Sequence, residues 1–391
     1  TDNFTYSKPL KVLKRGIWLY FLLLIFEGAL RKWVLPSLAT PLLIVRDPVA
    51  LFLLFYALVK NIWRPNQYVI IAFILIGLSF IATLVYGHGN VIVALYGLRI
   101  MCIHFPLMFL IGSVLTAKDV HAILKILLFI SIGMLLLVAL QFFSPQSAWV
   151  NRGIGGDLSG SGFSGAAGFY RVPGTFSFTN GLSLFYGWVA ATLIYYWGFG
   201  MSEINKKLLY AATLAFVMVL PLLISRTVVF ETVISFLFFL AVAKKTPSGM
   251  LKLLLLPIAL LVMIYFFQSF GFFSTATNAL VTRFENASNS EGGFQGTLID
   301  RFLGGMYAAI MDPDAGLLGA GLGLGSNAGA QLLTGKRQFL VSEGEWGRLI
   351  GESGVILGFL LIVLRSFLTF DLLRKSWTLS LIHISEPTRR T

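Results

Sequence analysis

Long apolar runs separated by short polar connections dominate the chain, and their length decides what they are. A helix rises 1.5 Å per residue, so about 20 apolar residues cross a hydrocarbon core of roughly 30 Å. Runs at 16–34, 41–59, 67–86, 91–115, 122–143, 181–199, 208–224, 227–243, 253–271 and 349–370 meet that requirement. The pattern predicts an all-α fold, a polytopic integral membrane bundle of about ten helices. Two stretches break the rhythm, 144–180 and 272–348. Unstructured connections of that length are uncommon unless they carry function or are disordered. Trp149, Phe163, Phe169, Tyr170, Phe294 and Tyr307 make both too aromatic for plain linkers. Within the second, Gly296–Met311 has apolar residues at helical spacing, which predicts an amphipathic helix on the membrane surface.

Composition strengthens the membrane assignment. The 391 residues are 57% hydrophobic and 12% charged, with a mean hydropathy of +0.83. Soluble domains carry about 25% charged residues. The formal charge of +13 does not imply nucleic acid, because the basic residues are scattered between apolar runs and form no stripe. Their placement reads as topology. Lys8, Lys11, Lys14 and Arg15 precede the first run, and Lys60, Lys118, Lys206, Lys244 and Lys375 fall in every second connection after it. By the positive-inside rule these segments and the N-terminus are cytoplasmic, and both long loops face outward. Cys102 is the single cysteine, so the chain can form no internal disulfide and no cysteine-based zinc site. Residues 1–378 read as one membrane domain, whereas 379–391 resemble the translation of a sequencing-library adaptor and are set aside.

The candidate chemistry lies in the arginines of the outward loops. Arg226 follows Ser225 in the short polar connection between two apolar runs, where a charge is costly and commonly functional. Its bland reading is a residue that snorkels to the interface. Arg171 opens Arg171-Val-Pro-Gly-Thr-Phe ahead of a helix start, which reads either as an anion site favoured by the helix dipole or as an ordinary capped helix entry with a surface arginine nearby. Arg283, Arg301 and Arg348 recur downstream. Guanidinium groups bind phosphate bidentately and never deprotonate, so this set points to a phosphate-bearing lipid. Glu345, Arg348 and Glu352 share one helix face by spacing, either as a salt-bridged helix start or with Glu345 or Glu343 as a general base. Gly316–Ser326 reads as a close-packed turn or as backbone N–H groups facing a pyrophosphate. Glu27–Arg31 and Arg46–Asp47 read as structural ties between the first two helices. The histidines His88, His104 and His121 lie outside both long loops and provide no base or metal site there.

Taken together, Arg171-Val-Pro-Gly-Thr-Phe, Ser225-Arg226, Arg301 with Leu318-Gly-Ala-Gly-Leu-Gly, and Glu345 through Gly358 resemble the O-antigen ligase and O-antigen polymerase superfamily of bacterial envelopes. The resemblance covers about 165–360. It implies a GT-C-like fold in the bacterial inner membrane with periplasmic loops. The donor would be an undecaprenyl-pyrophosphate-linked glycan held by Arg171, Arg226, Arg301 and Arg348. The acceptor would be a glycan or lipid A core, and neither metal nor cofactor is expected. Ligases of the family usually carry a histidine in the last large loop. Here Glu343 and Glu345 stand instead, which favours a polymerase of O-antigen or exopolysaccharide repeats over a ligase to lipid A core or protein. A transporter or flippase of an anionic lipid is the competing class, and it would place charges at mid-membrane.

Overall fold

The computed structural model describes residues 8–200, 203–243, 262, 265–290, 304–311, 316–335, 340–341 and 344–385. Arg301, Glu343, the first half of the expected surface helix (296–303) and most of the expected run at 253–271 lie outside the described residues.

The described chain is mostly helical. In order it forms α1 (Lys8–Ala29), α2 (Arg46–Val59), α3 (Gln67–Val85), α4 (Val91–Arg99), α5 (Phe105–Val114) and α6 (Ala117–Phe143). A two-stranded hairpin of β1 (Phe163–Ala166) and β2 (Phe169–Arg171) follows. Then come α7 (Thr179–Tyr195), α8 (Lys206–Leu222), α9 (Arg226–Ala243), α10 (Gly271–Ser290), α11 (Gly305–Met311), α12 (Asn327–Thr334) and α13 (Glu345–Ser385). Single turns of π-helix at Leu30–Val34, Ile100–His104 and Tyr196–Gly200 extend α1, join α4 to α5, and extend α7. Among the described residues, Pro41–Val59, Gln67–Val85, Val91–Val114, Ala117–Phe143 and, counted across a break at Gly354, Glu345–Trp377 are long and apolar enough to cross a membrane. These five identify a helical membrane protein. The runs at 16–34, 181–199, 208–224 and 227–243 coincide with α1, α7, α8 and α9.

Local sequence explains the boundaries. Asn66, Asn90 and Asn205 cap α3, α4 and α8 by accepting backbone N–H groups. Thr116 and Asp119 close a reciprocal capping box on α6.

The described residues form two compact units. The first draws on Thr1–Trp18, Asp47–Val114 and Ala287–Thr378, and its core joins Ala72, Leu75, Ile76, Met101, Leu322, Ile350 and Leu361. The second draws on Leu19–Arg46 and Leu115–Asn286, where α6 packs on α8 and α7 on α9.

The last apolar run departs from expectation. It is two helices, 345–353 and 355–385, broken at Gly354, whose φ of 80° and ψ of 169° only glycine adopts readily. The chain reverses there. Glu345 and Arg365 are 20 residues apart, about 30 Å along a continuous helix, yet Arg365 Nη1 lies 2.5 Å from Glu345 Oε1. A Cβ on Gly358 would sit 2.5 Å from Leu349 O and 2.8 Å from Ile350 Cα, so the two arms pack backbone to backbone.

Candidate functional site

In the second unit, the segment around Arg171 is a hairpin, and arginines collect on it. Ala167 and Gly168 turn it with φ of 51° and 80°, the doubly left-handed conformation of a type I′ turn. Arg171 Nε donates across the ladder to Ser164 O at 3.3 Å. Arg283, on α10, donates from Nη1 to Gly165 O at 3.2 Å. A Cβ on Gly165 would lie 3.1 Å from Ile224 Cδ1, which brings the connection before α9 against the same strand. That connection is strained. Ile224 is fully buried with φ of 44°, a region β-branched residues rarely enter, at a cost of about 1–3 kcal/mol. Ser225 and Arg226 follow it, both buried, and the Ser225 hydroxyl lies 2.9 Å from that of Ser183. Arg171 and Arg283 thus meet at one hairpin, and Arg226 follows two residues after Ile224, which packs on it. The sequence noted Arg283 but did not rank it with the others. Its place on α10 becomes meaningful only through contact with a strand 118 residues earlier.

Behind the hairpin, residues 173–177 are pinned from below. Gly174 N donates to Gln141 Oε1 at 2.9 Å, and Thr175 Oγ1 donates to Ile25 O at 2.7 Å. Lys32 is fully buried and its Nζ donates to Gly174 O at 2.5 Å and Phe176 O at 3.0 Å. Arg31 donates to Ser177 Oγ, Ala39 O and Glu27 Oε1 at 3.0, 2.8 and 3.3 Å. Glu27 Oε2 also accepts from Arg46 Nε at 2.7 Å. The Glu27–Arg31 tie expected from spacing is therefore present, and Arg46 extends it to the start of α2. The expected Arg46–Asp47 network takes another form. Asp47 instead meets Arg99 at 2.8 Å and His104 at 3.1 Å within the first unit. Successive residues on a helix diverge by 100°, so they face different neighbours.

In the first unit, Glu345 and Arg348 come together as their spacing requires, at 2.9 Å, with Arg365 as a third member. Glu352 does not stay with them on an exposed face. It is 6% exposed, and its Oε1 accepts Gly325 N at 2.7 Å. The glycine segment resolves as the close-packed turn. Ala320 N donates to Gly351 O, Gly321 N to Glu352 O, and Leu322 N to the Thr83 hydroxyl, at 2.8, 3.1 and 3.0 Å. These N–H groups are spent inside the protein, which removes them as pyrophosphate donors. Arg348 stays half-buried against Gly325, with its Nε unpaired among the described residues.

The site residues read from sequence therefore fall into separate places. Arg171 and Arg226 share the hairpin region of the second unit, and Glu345 and Arg348 pair in the first. Arg301 and Glu343 lie outside the described residues. No cluster of His, Cys, Asp and Glu suited to a metal occurs among the described residues. No family model, no curated protein and no solved structure matches the chain.

Proposed function

We propose that the chain is a metal-independent membrane glycosyltransferase of the O-antigen polymerase type. It joins undecaprenyl-pyrophosphate-linked repeats on the periplasmic face of the bacterial inner membrane. The observation that carries this reading is the meeting of Arg171 and Arg283 at one hairpin, with Arg226 two residues beyond the strained Ile224 that packs beside it. Such a set matches the two phosphates of a lipid pyrophosphate, and buried or hydrogen-bonded guanidinium groups arrive preorganised. In the proposed reaction an acceptor hydroxyl attacks the anomeric carbon of the donor. A C–O bond forms, the bond to the pyrophosphate oxygen breaks, and the arginines stabilise the departing charge. Glu345 or Glu343 takes the hydroxyl proton. Glu345 is ion-paired with Arg348 and Arg365, and 43% of its side chain remains exposed.

The test uses the full chain reconstituted with lipid-linked repeats from its own host, with products resolved by size. A ladder of lengthening glycans is expected, and Arg226→Ala should reduce its rate about 10- to 100-fold, the worth of a charge-assisted bond of about 1.5–3 kcal/mol. Transfer only after lipid A core or a protein is added would make the enzyme a ligase. Donor crossing the bilayer with no new glycosidic bond would defeat the enzyme reading. One observation favours that transporter alternative. Asp47, Arg99 and His104 form a polar cluster in apolar helices at a π-helical turn, and ionisable groups within membrane helices commonly mark transport pathways.

A further inference from the structure

The connection between α6 and the hairpin holds a stacked indole pair beside polar groups that lack partners. Trp33 and Trp149 stack with ring centroids 5.8 Å apart and planes 29° apart. The pair is fixed, because Trp33 Nε1 donates to Trp149 O at 3.1 Å. Trp149 nevertheless leaves 61% of its surface exposed. It opens a turn of 3-10 helix, Trp149–Asn151. Arg152 follows as the residue that ends the turn, its backbone N–H donating to Trp149 O at 3.3 Å.

The Arg152 side chain, by contrast, makes no ion pair among the described residues, and its buried Nε has no hydrogen-bond partner there. Two more orphan atoms lie alongside. Asn151 is fully buried with Nδ2 donating to Gln141 O, Ser144 O and Pro145 O at 2.9, 3.0 and 3.1 Å, while its Oδ1 accepts from nothing described. Turning the amide over would face its oxygen toward three carbonyls, so the orphan is real. Ser161, tied to Asn151 O through its backbone N–H at 2.7 Å, has a buried hydroxyl with no partner described. Native structures leave few buried polar groups unmade, so several within one short segment call for partners from outside the chain, either ordered water or a ligand's polar groups.

We propose that this segment binds an acidic pyranose ring, such as a uronate unit of a glycan. The exposed indole face accepts the apolar C–H face of the ring. The Arg152 guanidinium takes the carboxylate, which supplies the charge the protein does not. Ordered water or a small shift of the 151–161 segment connects ring hydroxyls to Asn151 Oδ1 and Ser161 Oγ. The site needs no transfer chemistry.

The test is binding to the full chain in nanodiscs of zwitterionic lipid, read by saturation-transfer NMR and tryptophan fluorescence. Hexamers of galacturonate and mannuronate serve as acidic probes, and maltohexaose as the neutral one. Saturable binding of a uronate hexamer is expected, weakened at least about tenfold by Trp149→Ala and by Arg152→Gln and kept by Trp149→Phe. An unchanged melting temperature shows that each variant folds. The proposal is overturned by equal binding of maltohexaose, by equal binding to both weakened variants, or by no saturable binding. It also fails if the indole responds only when anionic lipid is added, which would make Trp149 an interfacial anchor. Since binding is read without turnover, it can fail while the glycan ladder forms, and the reverse.

Discussion

Gly28 on α1 offers the sharpest check on how the Arg171 segment is held. A Cβ there would meet Ser177 N, Phe176 C and, at 2.5 Å, Thr175 O, all backbone atoms. Ordinary contact begins near 3.4 Å, so the overlap is about 1 Å, and no side chain can rotate to relieve it. Gly28→Ala therefore forces the 175–177 backbone away from α1, at the overpacking cost of about 1–3 kcal/mol. Helix propensity works the other way, since Ala gains about 0.5–1 kcal/mol over Gly inside a helix. The net expectation is a loss of about 1–2 kcal/mol. Gly133 on α6 is the control, because a Cβ there meets nothing within 4 Å. Gly133→Ala should show the propensity gain alone, about 0.5–1 kcal/mol. The two variants should then melt several degrees apart in nanodiscs, at about 2–4 °C per kcal/mol. Arg171 lies four residues before Thr175, so Gly28→Ala should also weaken the ladder while Gly133→Ala leaves it intact. Gly28→Ala melting at or above Gly133→Ala would refute the steric argument.

Two further perturbations probe the other supports. Glu352→Leu strips Gly325 N of its acceptor and Arg348 of a nearby carboxylate, which should cost about 2–4 kcal/mol. Glu352→Gln keeps an acceptor and should cost markedly less, and equal melting of the two would show that the carboxylate is not the tie. Ala167→Asn suits the first left-handed position of the hairpin turn and should stabilise by about 0.5–1 kcal/mol, seen as slower proteolysis at 163–171. Faster cleavage there would contradict the turn assignment.

The sequence revealed helices better than it revealed their company. Apolar runs such as 67–86 and 122–143 match α3 and α6 because hydrophobic length and an Asn or Thr cap are local signals. The reversal at Gly354 escaped because hydropathy counts 349–370 as one run, and a single glycine looks like any other tolerated in a membrane helix. The hairpin escaped because Ala167-Gly168 is a weak form of the Asn-Gly signal. For the site, Arg171 and Arg226 stood out by their position between apolar runs. Nothing local tied Arg283 to them, since the link is a hydrogen bond between α10 and β1. Glu352 was legible as a helix-face partner of Arg348 but not as buried, because burial depends on where 316–326 folds back.

The glycine turn and the break in α13 have a consequence for how the chain can change over generations. A Cβ on Gly319 would strike Gly354 N and come within 2.6 Å of Glu352 O, while a Cβ on Gly354 would strike Leu317 O and come within 2.5 Å of Leu318 C. Each glycine clears the space that the other's backbone occupies, and both hold φ of 80°. Neither can be replaced while the fold-back persists, so the two positions, 35 apart, behave as a single heritable character. Descendants of this sequence should keep both or lose both, and those that lose both should carry a continuous final helix in place of the folded-back one.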